Sequence, residues 1–141
     1  MPHDLLGALV LLPLLAGTLA AVLGARAGRW LVLLAVLALP LMLWPLGVPV
    51  ASGATVQLEL AGLPPPLGIR LQVDGLSLIL LWLVALVMLG ATVHAWSSVG
   101  AGRGARRFWP LWALLLAGLN LVLVSADLFN LYVGLELLTL A

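Results

Sequence analysis

The sequence predicts an all-α integral membrane fold: four transmembrane helices, a partial fifth, and a small β-hairpin in the loop between helices two and three. Three observations carry this. Of the 141 residues, 65% are hydrophobic and only 8% charged, against roughly a quarter charged in soluble domains. The few charges fall between long uncharged runs. One interval alternates polar and apolar residues with period two, as strands do. A soluble fold of this length cannot hide that much apolar surface from water, whereas lipid accepts it as solvent. A single membrane domain over residues 1–141 is expected.

A span takes about 20 mostly apolar residues. The first runs from Leu5 to Ala25 and holds no charge. Ala25-Arg26-Ala27 fits a small-x-small cleavage site in outline. Met1-Pro2-His3-Asp4, however, lacks the basic segment of a signal peptide, and the arginines follow the run instead. A retained span is therefore expected. Arg26 and Arg29 separate it from a second run, Trp30 to about Leu46. The third runs from Gly75 to about Trp96, and the fourth, after Arg103, Arg106 and Arg107, from Phe108 to Ala126. Asp127 then opens a fifth segment, Leu128 to Ala141, too short to cross unaided. Its apolar pattern is still running at Ala141, so the expectation is a cut protein or a reading frame that ends early.

Five of the six arginines lie after the first and third spans. The positive-inside rule makes that side cytoplasmic and the N-terminus external. Trp30, Trp44, Trp96 and Trp109 sit near span ends, where interfacial anchors belong. The external loop between spans two and three carries the alternation. Thr55, Gln57 and Glu59 interleave with Val56, Leu58 and Leu60, and Arg70, Gln72 and Asp74 with Ile69, Leu71 and Val73. Pairing Glu59 with Arg70 antiparallel sets Gln57 against Gln72 and Leu58 against Leu71, so polar meets polar and apolar meets apolar. Ala61 to Gly68, with Pro64-Pro65-Pro66, forms the turn. A hairpin on the outer face is predicted, acting as a lid or an intersubunit clasp.

Glu136 is the leading functional candidate. Nine residues after Asp127, it lies about 14 Å along a helix at ~1.5 Å per residue, near the middle of a roughly 30 Å hydrocarbon core. A carboxylate there costs a few kcal/mol (about 2.5–3.5 on insertion scales) and marks a functional site by default. It should face protein or water rather than lipid. A bland alternative has residues 128–141 lying flat on the surface with Glu136 solvated, and another has Glu136 only bonding a neighbouring helix. Spans one to four offer no cation or second acid at that depth. Asp127 is expected to cap the fifth helix, with Asn130 joining in, and more sharply to take up protons. Asp74 is expected to cap the third helix, ahead of Gly75-Leu76-Ser77. Asn120, after Gly118, suits an interhelical hydrogen bond in a small-residue face, with a place on a polar proton path as the sharper reading. His94, near the cytoplasmic end of span three, reads as an interfacial histidine or a proton relay.

The composition excludes other chemistry. There is no cysteine and no lysine, and the net charge is +1. No basic stripe with interleaved aromatics suggests nucleic acid. No His/Cys/Asp cluster, Gly-rich phosphate loop or Ser-His-Asp set is present. No catalytic residue, cofactor or metal is expected, and the chain is not read as a self-contained enzyme.

The stretch from Phe108-Trp109-Pro110 to Leu138, FWPLWALLLAGLNLVLVSADLFNLYVGLELL, resembles the proton-conducting membrane subunits shared by Mrp-type sodium/proton antiporters, respiratory complex I and membrane-bound hydrogenases. Its DLFNLYV segment and the glutamate that follows are most similar to the D-type polypeptide of Mrp antiporters. Residues 66–78, PLGIRLQVDGLSL, resemble the family's approach to its third helix. The likeness is weaker over 1–50. Gly134-Leu135 before Glu136 departs from the bulky aromatics of many relatives. The resemblance implies a larger protein built from inverted helical repeats, of which this chain is the N-terminal part. It also implies that Glu136 is the fifth-helix glutamate of a proton path, paired with a lysine two helices later. The implied partners are other membrane subunits, the bilayer, protons and Na+. A redox-driven pump subunit, or a structural subunit without an ion path, are the competing readings.

Overall fold

Charge-free stretches become helices, and the helices run on past the charges that bracket them. The computed structural model describes residues 2–60, 69–99 and 102–141. In chain order these form α1 (Pro2–Leu23), α2 (Ala25–Ala51), β1 (Val56–Leu60), β2 (Ile69–Val73), α3 (Gly75–Ser98), α4 (Arg103–Val124) and α5 (Leu128–Leu140). The first four helices are each long and apolar enough to cross a membrane, and α5 is a shorter apolar helix. The chain is a multi-pass membrane protein.

The element boundaries correct the sequence expectation in two places. Arg26 and Arg29 are not in a loop. They lie in the first turns of α2, which also continues past Leu46 to Ala51 through Pro40, Pro45 and Pro49. Arg103, Arg106 and Arg107 likewise belong to α4. A charge marks where the chain meets water, but a hydrated helix keeps its own hydrogen bonds and need not end there. The connection between α1 and α2 is a single residue. Gly24 takes φ 86°, ψ −179°, a region essentially restricted to glycine. Its N–H donates to Ala20 O at 3.0 Å, and its carbonyl accepts from Gly28 N at 2.8 Å.

Trp109 corrects another expectation. It is not an interfacial anchor but one of the most deeply buried side chains. It stands edge-on to Phe108 and Trp96, and Trp96 in turn to Trp30. Trp44 is exposed, as an anchor would be. Many exposed side chains are large and apolar, Leu41 and Val48 among them, which suits an outer surface wetted by lipid.

The hairpin forms in the expected register, Gln57 opposite Gln72, Leu58 opposite Leu71 and Glu59 opposite Arg70. Arg70 Nη2 meets Glu59 Oε1 at 2.8 Å, and Gln57 Nε2 donates to Gln72 Oε1 at 3.2 Å. The expected turn at 61–68 lies outside the described residues. Val56, Leu71 and Val73 are buried against the ends of the helices, so the hairpin closes one end of the bundle. Its second edge is also occupied. Leu71 makes an isolated antiparallel bridge with Ser125, and Ala126 N donates to Arg70 O at 3.0 Å.

Candidate functional site: the α4–α5 junction and an uncovered carboxylate

The site begins at Asp127. Its Oδ1 accepts from Asn130 N at 2.8 Å, capping α5. Its Oδ2 accepts from Asn130 Nδ2 at 2.5 Å and from the backbone N–H of Arg70 at 3.1 Å. One carboxylate therefore starts the helix and fastens it to β2. Burial pushes the Asp127 carboxyl up, but the N–H donors of Asn130 and Arg70 outweigh it and hold the group below the ordinary carboxylate value. Asp74 does the same for α3, accepting from Ser77 N at 2.8 Å. That hydrogen bond comes first among the causes that lower its carboxyl.

From this anchor α5 descends along α4, in contact close enough to require glycine. A Cβ on Gly134 would lie 2.8 Å from Val122 Cγ2 and 3.1 Å from Val122 N. One on Gly118 would lie 3.0 Å from Leu138 Cδ2 and 3.2 Å from Leu138 N. The face of α5 turned to α4 thus holds Asn130, Gly134 and Leu138, at helical spacing. Two residues on from Gly134, Glu136 lies on the far side. It is exposed, as are Phe129 and Tyr132, and Tyr132 stands one turn earlier on the same face. Among the described residues α4 covers the other face of α5 and none covers this one.

Asn120 is fully buried and donates from Nδ2 to Leu9 O of α1 at 2.7 Å. The reason is local. Leu9 O would normally accept from residue 13, but that residue is Pro13, which has no N–H. Asn120 supplies the missing donor across the helix interface. Its Oδ1 has no hydrogen-bond partner among the described residues.

His94 lies at the opposite, arginine-bearing end. It is exposed, with Nε2 3.2 Å from Ser98 Oγ. The structure therefore brings together Asp127 and Asn130, and separately Tyr132 and Glu136. Asn120, bonded to Leu9 O, and His94, bonded to Ser98, stand apart from both pairs. Sequence reasoning missed a second buried polar contact, Trp112 Nε1 donating to Thr92 Oγ1 at 2.9 Å between α4 and α3. A threonine among apolar residues on one helix and a tryptophan on the next gave no spacing signal.

No family model matches the chain. It is 44% identical over 84 residues to the N chain of the NADH-quinone oxidoreductase of Desulforudis audaxviator, covering 57% of this chain and 17% of that protein. It is 33% identical over 90 residues to the D chain of the Na+/H+ antiporter of Alkalihalophilus pseudofirmus, covering 64% and 18%. It is 36% identical over 86 residues to the D chain of a probable K+/H+ antiporter of Rhizobium meliloti, covering 59% and 15%. Two solved structures superpose on 96% of the chain. A chain of the membrane-bound sulfane sulfur reductase, an archaeal respiratory membrane complex, matches with a TM-score of 0.83 at 24% identity over 28% of its length, a likeness of fold. A chain of the Mrp complex from Dietzia sp. matches with a TM-score of 0.71 at 30% identity over 26% of its length. The present chain thus spans under a fifth of the length of these curated relatives.

Proposed function

We propose that this chain, a homologue of D-type antiporter polypeptides and of an NADH-quinone oxidoreductase membrane polypeptide, belongs to the ion-translocating subunit of a multisubunit monovalent cation/proton antiporter, with an intramembrane glutamate in its proton path. The observation that carries the reading is Glu136, an ionisable group well inside an apolar helix and turned away from the other described helices. A carboxylate in lipid is costly, so its face is where a further helix or a neighbouring polypeptide packs. A cation on that partner would form a charge pair with Glu136. Opening and closing the pair changes the stability of the ionised form, which is how a fixed site takes up a proton and releases it. Asp127 serves as the hinge pin of α5 rather than as a proton donor, since its oxygens are occupied by three N–H groups.

The assembly sits in the plasma membrane with the N-terminus outside, its partners being other membrane subunits and its cargo protons and Na+. It performs transport rather than catalysis. A redox-driven pump is the second reading, supported by the similarity to the oxidoreductase polypeptide.

The test is Glu136→Gln in the assembled complex in vesicles. Proton movement driven by an imposed Na+ gradient is expected to fall at least tenfold, with assembly unchanged on a native gel. Unchanged flux would leave a purely structural role. Loss of NADH-driven proton movement, with no response to Na+, would favour the redox pump.

A further inference from the structure

The arginine-bearing end of the bundle has a feature that transport through Glu136 does not use. A cavity of about 550 Å³ opens there, lined by Gly24, by Arg26 and Arg29 in the first turns of α2, by Gly102, and by Ala105 and Arg106 of α4. An adjoining groove of about 880 Å³ shares Arg106 and adds Arg107, with Ala21, Pro110 and Leu111 as its apolar floor. Neither lining includes a carboxylate. The positive-inside rule accounts for arginines at this end, but not for their convergence on one cavity.

Both helices that begin at the cavity do so without a cap. α2 starts after Gly24 and α4 after Gly102, and neither glycine has a side chain to accept from the first-turn N–H groups. Neither helix has an acidic residue in its first turn. Each instead places arginine there, against the helix dipole. The C-termini of α1 and α3 end nearby, and their partial charges of about −0.5 each offset the two helix N-termini of about +0.5. That leaves the charges of Arg26, Arg29 and Arg106 unbalanced, beside first-turn N–H groups with no side-chain cap. Arg29 is held in place by Trp96, with Cζ 4.7 Å from the ring centroid, and its Nε is buried with no partner among the described residues.

We propose that this cavity binds the phosphodiester headgroup of an anionic membrane phospholipid. The chemistry selects it. Guanidinium groups and uncapped first-turn N–H groups both favour phosphate oxygens, and arginines at the ends of apolar spans fall at headgroup depth. The apolar floor formed by Ala21, Pro110 and Leu111 in the adjoining groove gives the acyl chains a track. A free phosphate would use the same donors but gain nothing from that track.

Trp109 lines the cavity and Trp96 touches Arg29, so tryptophan fluorescence reports on it. The chain, purified into zwitterionic nanodiscs, is titrated with brominated phosphatidylglycerol and with brominated phosphatidylcholine. The anionic lipid is expected to quench at a much lower mole fraction. Arg26→Gln with Arg106→Gln should weaken its association by roughly 30-fold, from the loss of two interfacial charges. Arg26→Lys with Arg106→Lys should keep most of it, and Arg70→Gln at the far end should change nothing. Equal quenching by the two lipids, or a preference that survives the double glutamine variant, would overturn the proposal. Displacement of the lipid by millimolar inorganic phosphate would also overturn it, in favour of a free-anion site. If the double variant loses helicity, the salt response of the unaltered chain decides. Loss of the preference at high salt supports the headgroup site, and a salt-independent preference refutes it.

Discussion

Asn120 donates to the carbonyl that Pro13 leaves open in α1, and the value of that bond is measurable by removing it. Asn120→Leu keeps the branching and number of heavy atoms but leaves a buried acceptor unmet, at a cost of about 1–3 kcal/mol. Reversible unfolding in mixed micelles should show that loss, and a Pro13→Ala background should relieve most of it by restoring an N–H to Leu9 O. Asp127 makes a pH prediction. Its carboxyl is held below the ordinary value, so its contribution is complete above the ordinary carboxylate pKa and is lost as pH falls through the lowered one. Hydrogen exchange of the amides at 128–131, corrected for intrinsic rate, should stay slow through mildly acid pH. It should speed up only below the usual carboxylate range. Asp127→Ala should abolish that step and raise exchange at every pH above it. The capping roles of Asp127 and Asp74 were legible because an acid directly before an apolar run is a local signal. The partner of Asn120 was not, because it lies 111 positions away.

The hairpin was readable at element scale down to its register, since only one pairing aligns both the polar and the apolar faces. The starts of α2 and α4 were not, because charge reports the bilayer boundary and not the end of the hydrogen-bond ladder. The buried place of Trp109 was hidden for a related reason. Position near a span end suggests an anchor, while close approach of α2 and α4, with Gly28 next to Trp109, makes it core. The α4–α5 contact is the element most exposed to a single change. Gly134→Val would drive new atoms into Val122 and force the helices apart. We expect α5 to lose exchange protection along its length while α1 to α4 keep theirs. Gly90, which meets nothing within 4 Å, is the control: Gly90→Ala should leave protection unchanged.

For the molecule as a whole, the absence of cysteine makes the orientation directly measurable. Ala54→Cys sits beside the hairpin and Ser98→Cys at the arginine end. In intact cells an impermeant maleimide should label the first and not the second, and both after lysis. The opposite pattern would invert the assigned topology. The Leu9–Asn120 bond also has a consequence in time. A ribosome adding about 5–20 residues per second needs roughly 5 to 20 s to travel from Leu9 to Asn120. For that interval the newborn first helix stands in the membrane with an open carbonyl and only its immediate successors beside it. A chaperone or lipid that shields that one oxygen would act during synthesis alone, and would leave no trace in the finished protein.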